Sequence, residues 1–259
     1  MNLFLILGLV LSGLIGLSLG LIGGGGSIIT VPVLVYVLGV EAREAVGMSL
    51  AVVGATSLVG SFLHYRRGTV RLKTGLVFGA AGIVGALIGS PLTRLLSTSA
   101  LMMTFAALML VIAVLMLRRK STADNVKAES AEQFLSVWKA VSAGFGVGVL
   151  TGFLGVGGGF LIVPALVMFG GLGMKEAIGT SLFVIFLNCV AGLVGHASQN
   201  NFDWSLTAQV TVLAVAGTIL GTLLSHRVTA NKLQKGFAMF VLAVAVFLMA
   251  KNYTVFFGR

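Results

Sequence analysis

Apolar runs separated by short polar intervals fill almost the whole chain. The longer runs, of about 20 residues, are long enough for a helix to cross the hydrocarbon core of a bilayer. The runs lie at about 3–22, 27–39, 45–63, 75–93, 99–117, 138–154, 159–172, 177–196, 205–225 and 236–250. Two of them, 27–39 and 159–172, are too short to cross alone, so we expect half-helices there. The pattern predicts an all-α fold, a polytopic bundle of transmembrane helices.

Two glycine clusters interrupt the apolar pattern at corresponding points. Glycine is a poor helix former that readily adopts positive φ angles, so several glycines in succession break a helix. A broken backbone at membrane depth is tolerated only where it is buried in protein or lines a cavity. The first cluster is Gly23, Gly24, Gly25, Gly26 and Ser27, and the second is Gly155, Val156, Gly157, Gly158 and Gly159. A break that occurs in two copies indicates a binding site.

The second half of the chain repeats the first at a shift of 132 residues. Positions 20–64 and 152–196 share 17 identities in 45 aligned positions, without a gap. This repeat predicts a single membrane domain that covers residues 1–259. Its parts are repeat one at 1–117, a cytoplasmic linker at 118–136, and repeat two at 137–259.

Loop charges indicate how the two repeats are oriented. The loop 66–73 carries four basic residues, whereas its counterpart 198–205 carries one charged residue, Asp203. Because basic loops usually face the cytoplasm, these equivalent loops should lie on opposite sides of the membrane. We therefore expect inverted repeats, each opening with a glycine-broken helix or a re-entrant hairpin whose apex lies within the membrane. The alternative is a parallel repeat of four helices, in which the broken element crosses once.

A new apolar helix starts just beyond each glycine cluster. Pro32 and Pro164 follow the clusters closely, and proline is accepted in a first helical turn, where its missing N–H would have no partner. Free N–H groups and the positive end of the helix dipole should point into each break. Two such ends facing each other would bind an anion without a basic side chain. The alternative is that the glycines only permit close helix packing, the role we expect for isolated glycines such as Gly85 and Gly89.

Polar side chains on the third segment of each repeat extend this interpretation. Ser49, Thr56 and His64 share one face of a helix, because their spacing follows the helical period. Ser181 and Asn188 occupy the equivalent positions to Ser49 and Thr56 in the second repeat. Hydroxyl and amide groups can donate hydrogen bonds to the oxygens of an anion. The alternative for each hydroxyl is bonding between helices or back to a carbonyl of its own helix.

We therefore predict that substrate-binding residues come from both clusters and both polar faces. They are Gly23, Gly24, Gly25, Gly26, Ser27, Ser49, Thr56, Gly155, Gly157, Gly158, Gly159, Ser181 and Asn188. His64 and His196 lie at equivalent positions near segment ends. We expect an interfacial or capping role for both histidines, and the alternative is a role in coupling transport to protons.

Composition identifies the class of protein and excludes several functions. Only 9% of the 259 residues are charged and 58% are hydrophobic, whereas about a quarter of the residues in soluble proteins are charged. The chain is therefore an integral membrane protein. Its net charge of +10 comes mostly from short loops beside apolar runs and does not indicate nucleic-acid binding. No cluster of histidines or cysteines has metal-ligand spacing, so we predict neither a metal nor another cofactor.

The seven acidic residues all fall in loops or at the ends of apolar segments. Without a carboxylate in the middle of the membrane, a cation carrier and acid–base catalysis both lose support. We therefore expect an anion transporter and not an enzyme. The sequence contains no Walker A motif, which favours secondary transport over transport driven by ATP.

Several motifs together resemble the TauE/SafE family, also called the sulfite exporter or DUF81 family. They are the glycine clusters leading to Val31-Pro32 and Val163-Pro164, and the turns Ala-Val-Gly47-Met-Ser49-Leu and Ala-Ile-Gly179-Thr-Ser181-Leu. The likeness covers nearly the whole chain, apart from the linker and the last few residues. It implies a polytopic inner-membrane protein that moves sulfur-containing or organic anions, of which sulfite, sulfoacetate and related sulfonates are the named examples.

Residues and resemblance together predict a secondary transporter that exports a small sulfur-containing or organic anion, such as sulfite or an organosulfonate. It would work by alternating access around an anion site at the membrane midplane. The alternatives are an anion channel, and a membrane accessory or enzyme subunit that uses the same cavity. The expected partners are the lipid bilayer of the cell inner (plasma) membrane and the small anion. The sequence does not predict an oligomeric state.

Overall fold

The computed structural model describes residues 3–91, 98–118, 130–154, 159–196 and 203–257. These parts of the chain form ten α-helices and contain no strand. The helices are α1 (Leu3–Ile22), α2 (Gly26–Tyr36), α3 (Ala42–Tyr65), α4 (Leu72–Gly89), α5 (Thr98–Arg118), α6 (Ser130–Leu154), α7 (Gly159–Met168), α8 (Met174–His196), α9 (Trp204–Arg227) and α10 (Ala230–Phe257). The all-α fold that the apolar pattern predicts is confirmed.

Six of the described helices contain an apolar stretch long enough to cross a membrane. The stretches are Leu5–Ile22, Glu44–Tyr65, Leu72–Gly89, Met174–Val194, Trp204–Arg227 and Ala230–Ala250. The chain is therefore a multi-pass membrane protein. Helices α2 and α7 have only 11 and 10 residues. Each rises by roughly 15 Å, about half of the hydrocarbon core, and they are the half-helices expected from the two short apolar runs.

Helix α6 begins earlier than the sequence pattern predicts. Its first residue is Ser130, which lies inside the stretch 118–136 assigned to the linker. The apolar pattern marks where a helix can enter the membrane, and it does not mark where the helix starts. Glu132 and Gln133 are good helix formers despite their polarity, so the helix extends beyond its apolar part. Residues 119–129 of the linker lie outside the described part of the chain.

Helices α1 and α2 form an antiparallel hairpin with the first glycine cluster at its apex. At the open end, Gly8 of α1 packs against the side chain of Leu38. Close to the apex, Gly26 packs against the backbone of Ile15 and the side chain of Leu19. The chain therefore reverses its direction at the glycine cluster and returns along α1.

Helices α1 and α9 pack in parallel through small residues. Gly16 of α1 lies against the carbonyl oxygen of Ala214 in α9. One turn further along both helices, Gly20 lies against Thr218. A side chain larger than hydrogen at either glycine would overlap the backbone of α9, so only glycine permits this close approach. The short distance between the two backbones fixes the position of α1, and with it the position of the turn that follows.

Helices α4 and α6 pack in the same way as α1 and α9. Gly85 lies against the backbone of Phe145 and Gly89 against that of Val149, again with both helices running in the same direction. The packing role predicted for these two glycines is confirmed. Under the shift of 132 residues, α6 corresponds to α1 and α9 to α4. The first helix of each half therefore packs on the fourth helix of the other half.

Helices α3 and α8, which correspond to each other in the repeat, run antiparallel. Gly54 of α3 lies against Cys189, and Gly60 lies against Leu182, so residue numbers fall along α8 as they rise along α3. Helices α5 and α10, the last pair of equivalents, also pack together. Nε2 of Gln234, near the start of α10, donates a hydrogen bond to the carbonyl oxygen of Met116, near the end of α5 (2.8 Å).

Two equivalent contacts tie the halves together at opposite ends of α3. The backbone N–H of Asp203, just before α9, donates to Oε1 of Glu44 in the first turn of α3 (2.9 Å). Beyond the other end of α3, the side chain of Arg71, just before α4, pairs with Glu176 in the first turn of α8 (2.7 Å). Asp203 and Glu176 occupy the positions equivalent to Arg71 and Glu44. The basic loop 66–73 and Asp203 therefore lie at opposite ends of α3.

Candidate functional site

The first glycine cluster forms a buried turn between α1 and α2. Gly23 has a φ of +79°, a left-handed conformation that favours glycine. Helix α2 then begins at Gly26, and its N-cap residue, Gly25, makes no side-chain hydrogen bond to the first N–H groups. All four glycines of the turn are buried. The first N–H groups of α2 and the positive end of its dipole are therefore directed into the protein interior.

The start of α7 lies against this turn. A methyl group at Gly24 would lie 2.5 Å from the carbonyl oxygen of Gly159, and a methyl group at Gly159 would lie 2.6 Å from Oγ of Ser27. A side chain at Gly24 would overlap the backbone of Gly159, whereas a side chain at Gly159 would overlap the side chain of Ser27. Residues Gly159–Val167 are all buried. The N-terminal ends of the two short helices therefore meet inside the protein.

Some of the predicted site residues lie outside the described part of the chain. They are Gly155, Gly157 and Gly158, together with the side chain of His196. The backbone of His196 ends α8, whereas His64 lies beside Gly179 in the second turn of that helix. The two positions are about 25 Å apart along α8, at 1.5 Å per residue. The structure therefore does not bring His64 and His196 together.

Ser181 connects α8 to the first glycine turn. Its hydroxyl oxygen lies 2.7 Å from the carbonyl oxygen of Gly23 and 2.8 Å from that of Ile178, so its single proton can be donated to either. The side chain of Ser181 is completely buried. Because the bond to Gly23 joins residues far apart in the chain, Ser181 holds the turn in position.

Asn188 continues the face of α8 that carries Ser181. Ser181, Ile185 and Asn188 are spaced by four and three residues, so they share one face of α8. On this face, Ile185 lies against Gly159. The side-chain oxygen of Asn188 is buried and accepts no hydrogen bond from the described residues. Buried polar atoms nearly always have a partner in the protein or in ordered water. Asn188 is therefore the side chain of this face with unused hydrogen-bonding capacity.

Ser18 and Phe240 also contact the turn, although the sequence pattern did not indicate them. A methyl group at Gly25 would lie 3.1 Å from Oγ of Ser18 and 2.8 Å from the ring of Phe240. Oγ of Ser18 is buried and has no hydrogen-bond partner among the described residues. Ser18 lies outside both clusters and α10 is far away in the chain, so the periodicity contained no signal for either residue.

Ser49 and Thr56 hydrogen-bond to their own helix. Oγ of Ser49 donates to the carbonyl oxygen of Val46 (2.7 Å). Oγ1 of Thr56 lies 2.8 Å from the carbonyl oxygen of Val52 and 3.0 Å from that of Val53. Both side chains are buried. This is the back-bonding alternative that the sequence left open, and both hydroxyls would have to rotate to donate to a ligand.

His64 lies next to His226, a residue that the sequence analysis did not select. The ring centroids are 5.0 Å apart, and His226 comes from the last turn of α9. Nδ1 of His64 lies 2.9 Å from Oγ1 of Thr69, whose hydroxyl donates to the carbonyl oxygen of His64 (3.0 Å). When that hydroxyl donates to the carbonyl, Nδ1 of His64 is the donor to Oγ1 of Thr69. The Nε2 atoms of both histidines are buried and have no partner in the described structure.

The acidic residues of the described chain all lie at helix ends. Glu41 precedes α3, Asp203 caps α9, and Glu44 and Glu176 lie in the first turns of α3 and α8. Within the described residues, no group of three or more His, Cys, Asp or Glu side chains is arranged to hold a metal ion. The facing ends of α2 and α7 therefore carry partial positive charge, with no carboxylate of the described residues beside them.

Comparison with known families gives a match over most of the chain. The sequence profile described as Sulfite exporter TauE/SafE matches residues 8–248. This range contains both glycine clusters and every residue of the facing helix ends. No solved structure matches the chain.

Curated relatives are similar over nearly their full length. A "Probable membrane transporter protein" of Xylella fastidiosa (strain 9a5c) is 35% identical, with 93% of each chain covered. The "Probable membrane transporter protein YdhB" of Bacillus subtilis (strain 168) is 31% identical, and the match covers 80% of this chain and 85% of the relative. A relative in Haemophilus influenzae is 29% identical over 96% of this chain. The family and these names indicate membrane transporters and not enzymes.

Proposed function

Because this chain belongs to the Sulfite exporter TauE/SafE family, we propose that it is a secondary transporter that exports a small sulfur-containing or organic anion across the plasma (inner) membrane. Sulfite and organosulfonates are the proposed substrates. One observation carries the proposal: the N-terminal ends of two short helices meet at a buried glycine turn. The transporter names of the relatives support the same class of function.

The two helix ends suit an anion because of their partial charges. Each N-terminal end is equivalent to about +0.5 of an elementary charge and offers unpaired N–H donors. In the interior of a membrane protein such donors are not screened by water, so their attraction for an anion is stronger than at a surface. A site of this kind accepts an oxyanion without a buried lysine or arginine, whose desolvation would be costly.

The proposed binding set combines backbone and side-chain donors. In this set Gly23–Ser27 and the cluster Gly155–Gly159 supply N–H groups, and the amide of Asn188, on the face of α8 whose Ile185 packs on Gly159, supplies a side-chain donor. Ser181 holds the Gly23 carbonyl in the present arrangement. Ser49 and Thr56 complete the set by rotating their hydroxyls away from the carbonyls of their own helix.

Alternating access would follow from inverted repeats. Three observations support this orientation: α3 and α8 run antiparallel, the first helix of each half packs on the fourth helix of the other, and the equivalent residues Arg71 and Asp203 lie at opposite ends of α3. In such an arrangement the facing helix ends lie between the two halves. Rocking one half against the other would then open the anion site to each side in turn.

Replacement of Gly24 by alanine tests the proposal directly. The added methyl group would lie 2.5 Å from the carbonyl oxygen of Gly159, so the first glycine turn and the start of α7 must move apart. Such overpacking costs about 1–3 kcal/mol, which corresponds to roughly a 5- to 150-fold loss of anion affinity. We expect a matching loss of sulfite and methanesulfonate counterflow into proteoliposomes at low substrate concentration. Counterflow that saturates also separates a carrier from an anion channel.

The matched control is Gly146→Ala in α6, where an added methyl group meets nothing within 4 Å. This variant should transport like the wild type. Size-exclusion profiles and melting temperatures of both variants establish that they are folded. A folded Gly24→Ala protein with wild-type counterflow would contradict the proposed anion site.

A further inference from the structure

The interior of the bundle contains a pair of histidines that the anion site does not use. His226 is partly exposed near the basic end of the bundle, whereas the side chain of His64 is only 1% exposed. Their rings are 5.0 Å apart, so the pair extends from the surface into the interior. Histidine is the side chain whose charge changes most readily near neutral pH, so such a pair can take up and pass on a proton.

Three buried polar atoms around this pair have no partner among the described residues. They are Nε2 of His64, Nε2 of His226 and Oγ1 of Thr222. Thr222 and His226 are four residues apart and share one face of α9. Buried polar atoms without partners are rare and call for water or an ion at the site. Since Nδ1 of His64 is bonded to Thr69, Nε2 is the ring nitrogen without a partner among the described residues and so the atom available to an incoming proton.

The inner histidine lies close to the anion site. The ring of His64 faces the backbone of Gly20 in α1 and packs on Gly179 of α8. Gly23 of the turn comes one helical turn after Gly20, and Ser181, which holds that turn, comes two residues after Gly179. A positive charge on His64 would therefore attract an anion at the glycine turn, because the two are separated by about one turn of helix.

The charged groups around the pair are cations. Arg67, in the loop after α3, donates to the carbonyl oxygen of Thr222 (3.4 Å), and Lys175 of α8 donates to that of His226 (3.3 Å). Helix α1 contributes only the uncharged backbone of Gly20. The nearest described carboxylate along α8, Glu176, is already paired with Arg71. A positive charge on the pair would be repelled by these cations and attracted by a transported anion.

We propose that the pair His64 and His226 binds one proton together with the transported anion, so that the anion and the proton cross the membrane in the same direction. The proton binds from the aqueous phase to Nε2 of His64 by way of His226, and it leaves with the anion on the other side. This inference rests on the proposed function and names its coupling ion. Since the binding of two ligands is reciprocal, the anion promotes protonation and the proton promotes anion binding. Net export then requires that the ratio of internal to external anion concentration exceed the ratio of external to internal proton concentration.

The test uses methanesulfonate, a monovalent anion that carries no titratable proton near neutral pH. Wild-type protein in proteoliposomes is given a pH gradient or a membrane potential, and the equilibrium distribution of the labelled anion is measured. With one proton per anion, the distribution should shift tenfold for each pH unit. It should not respond to a potential of about 59 mV, which would shift an uncoupled monovalent anion tenfold.

His64→Asn and His226→Asn should reverse this behaviour. Asparagine at position 64 can keep a donor toward Thr69 and lacks the acceptor Nε2. In either variant the anion should still move, and its distribution should follow the potential and ignore the pH gradient. His196→Asn is the matched control, because His196 is the only other histidine of the chain. It should keep the wild-type response.

Each other result would overturn the inference. A wild-type distribution that follows only the potential shows transport without a proton, and the proposed function then stands alone. A response to pH that survives in both His64→Asn and His226→Asn, or that is lost only in His196→Asn, excludes this pair as the proton site. If the wild type moves neither methanesulfonate nor sulfite, the proposed function fails and this inference fails with it.

Discussion

Ser181→Ala tests whether the position of the glycine turn determines anion binding. The hydroxyl of Ser181 lies 2.7 Å from the buried carbonyl oxygen of Gly23, to which it can donate its proton in place of the carbonyl oxygen of Ile178. Removing it leaves that carbonyl without this donor, at a cost of about 1–3 kcal/mol. If this loss of free energy destabilises only the conformation that binds the anion, the dissociation constant of the anion should rise roughly 5- to 150-fold. Calorimetric titration of purified protein with sulfite and with methanesulfonate measures this change directly.

Ser12→Ala is the matched control for this experiment. Ser12 is also buried and also donates at 2.7 Å, but its acceptor is the carbonyl oxygen of Gly8 in its own helix. That carbonyl keeps its place in the helical ladder, so the loss should be only about 0.5 kcal/mol and should leave anion affinity unchanged. Equal affinities for Ser181→Ala and the wild type would refute the view that this bond positions the site.

Three further results are expected. Gly148→Leu should reduce the yield of folded protein in size-exclusion chromatography, because Gly148 lies against the backbone of α4. Gly146→Leu is the control on the same helix: its added side chain begins in open space, so this variant should fold normally. Arg71→Ala should lower stability in thermal melts by less than about 1 kcal/mol, since its ion pair is exposed to solvent. Cysteines at positions 66 and 200 should react with an impermeant maleimide from opposite sides of the membrane, and labelling from the same side would refute inverted repeats.

The sequence predicted the elements of this fold well because membrane constraints are strong. Apolar runs of sufficient length must be helices, since only helices satisfy their backbone hydrogen bonds in lipid. Four successive glycines at 23–26 cannot continue a helix, and the structure has its turn there. The internal repeat also indicated which residues are equivalent. The start of α6 at Ser130 was missed because polar residues can extend a membrane helix beyond its apolar part.

The contacts within the candidate site were harder to predict. Spacing gives the face on which Ser49 and Thr56 lie, but it cannot distinguish a hydroxyl aimed at a ligand from one bonded to its own helix. The repeat paired His64 with His196, whereas antiparallel packing separates them and brings His226 to His64 instead. Equivalence in sequence is not proximity in space, and the orientation of the two halves decides which equivalent residues meet.

Anion binding to the wild type and to Gly24→Ala is the most direct test of the central claim, that the facing ends of α2 and α7 hold the anion. Purified protein is titrated with sulfite, thiosulfate, methanesulfonate, sulfate and acetate, with Gly146→Ala as the control. We predict saturable binding of at least one of these anions, weakened roughly 5- to 150-fold in Gly24→Ala and unchanged in Gly146→Ala. Binding that is equally tight in Gly24→Ala, or the absence of binding to every anion of the series, would contradict the claim.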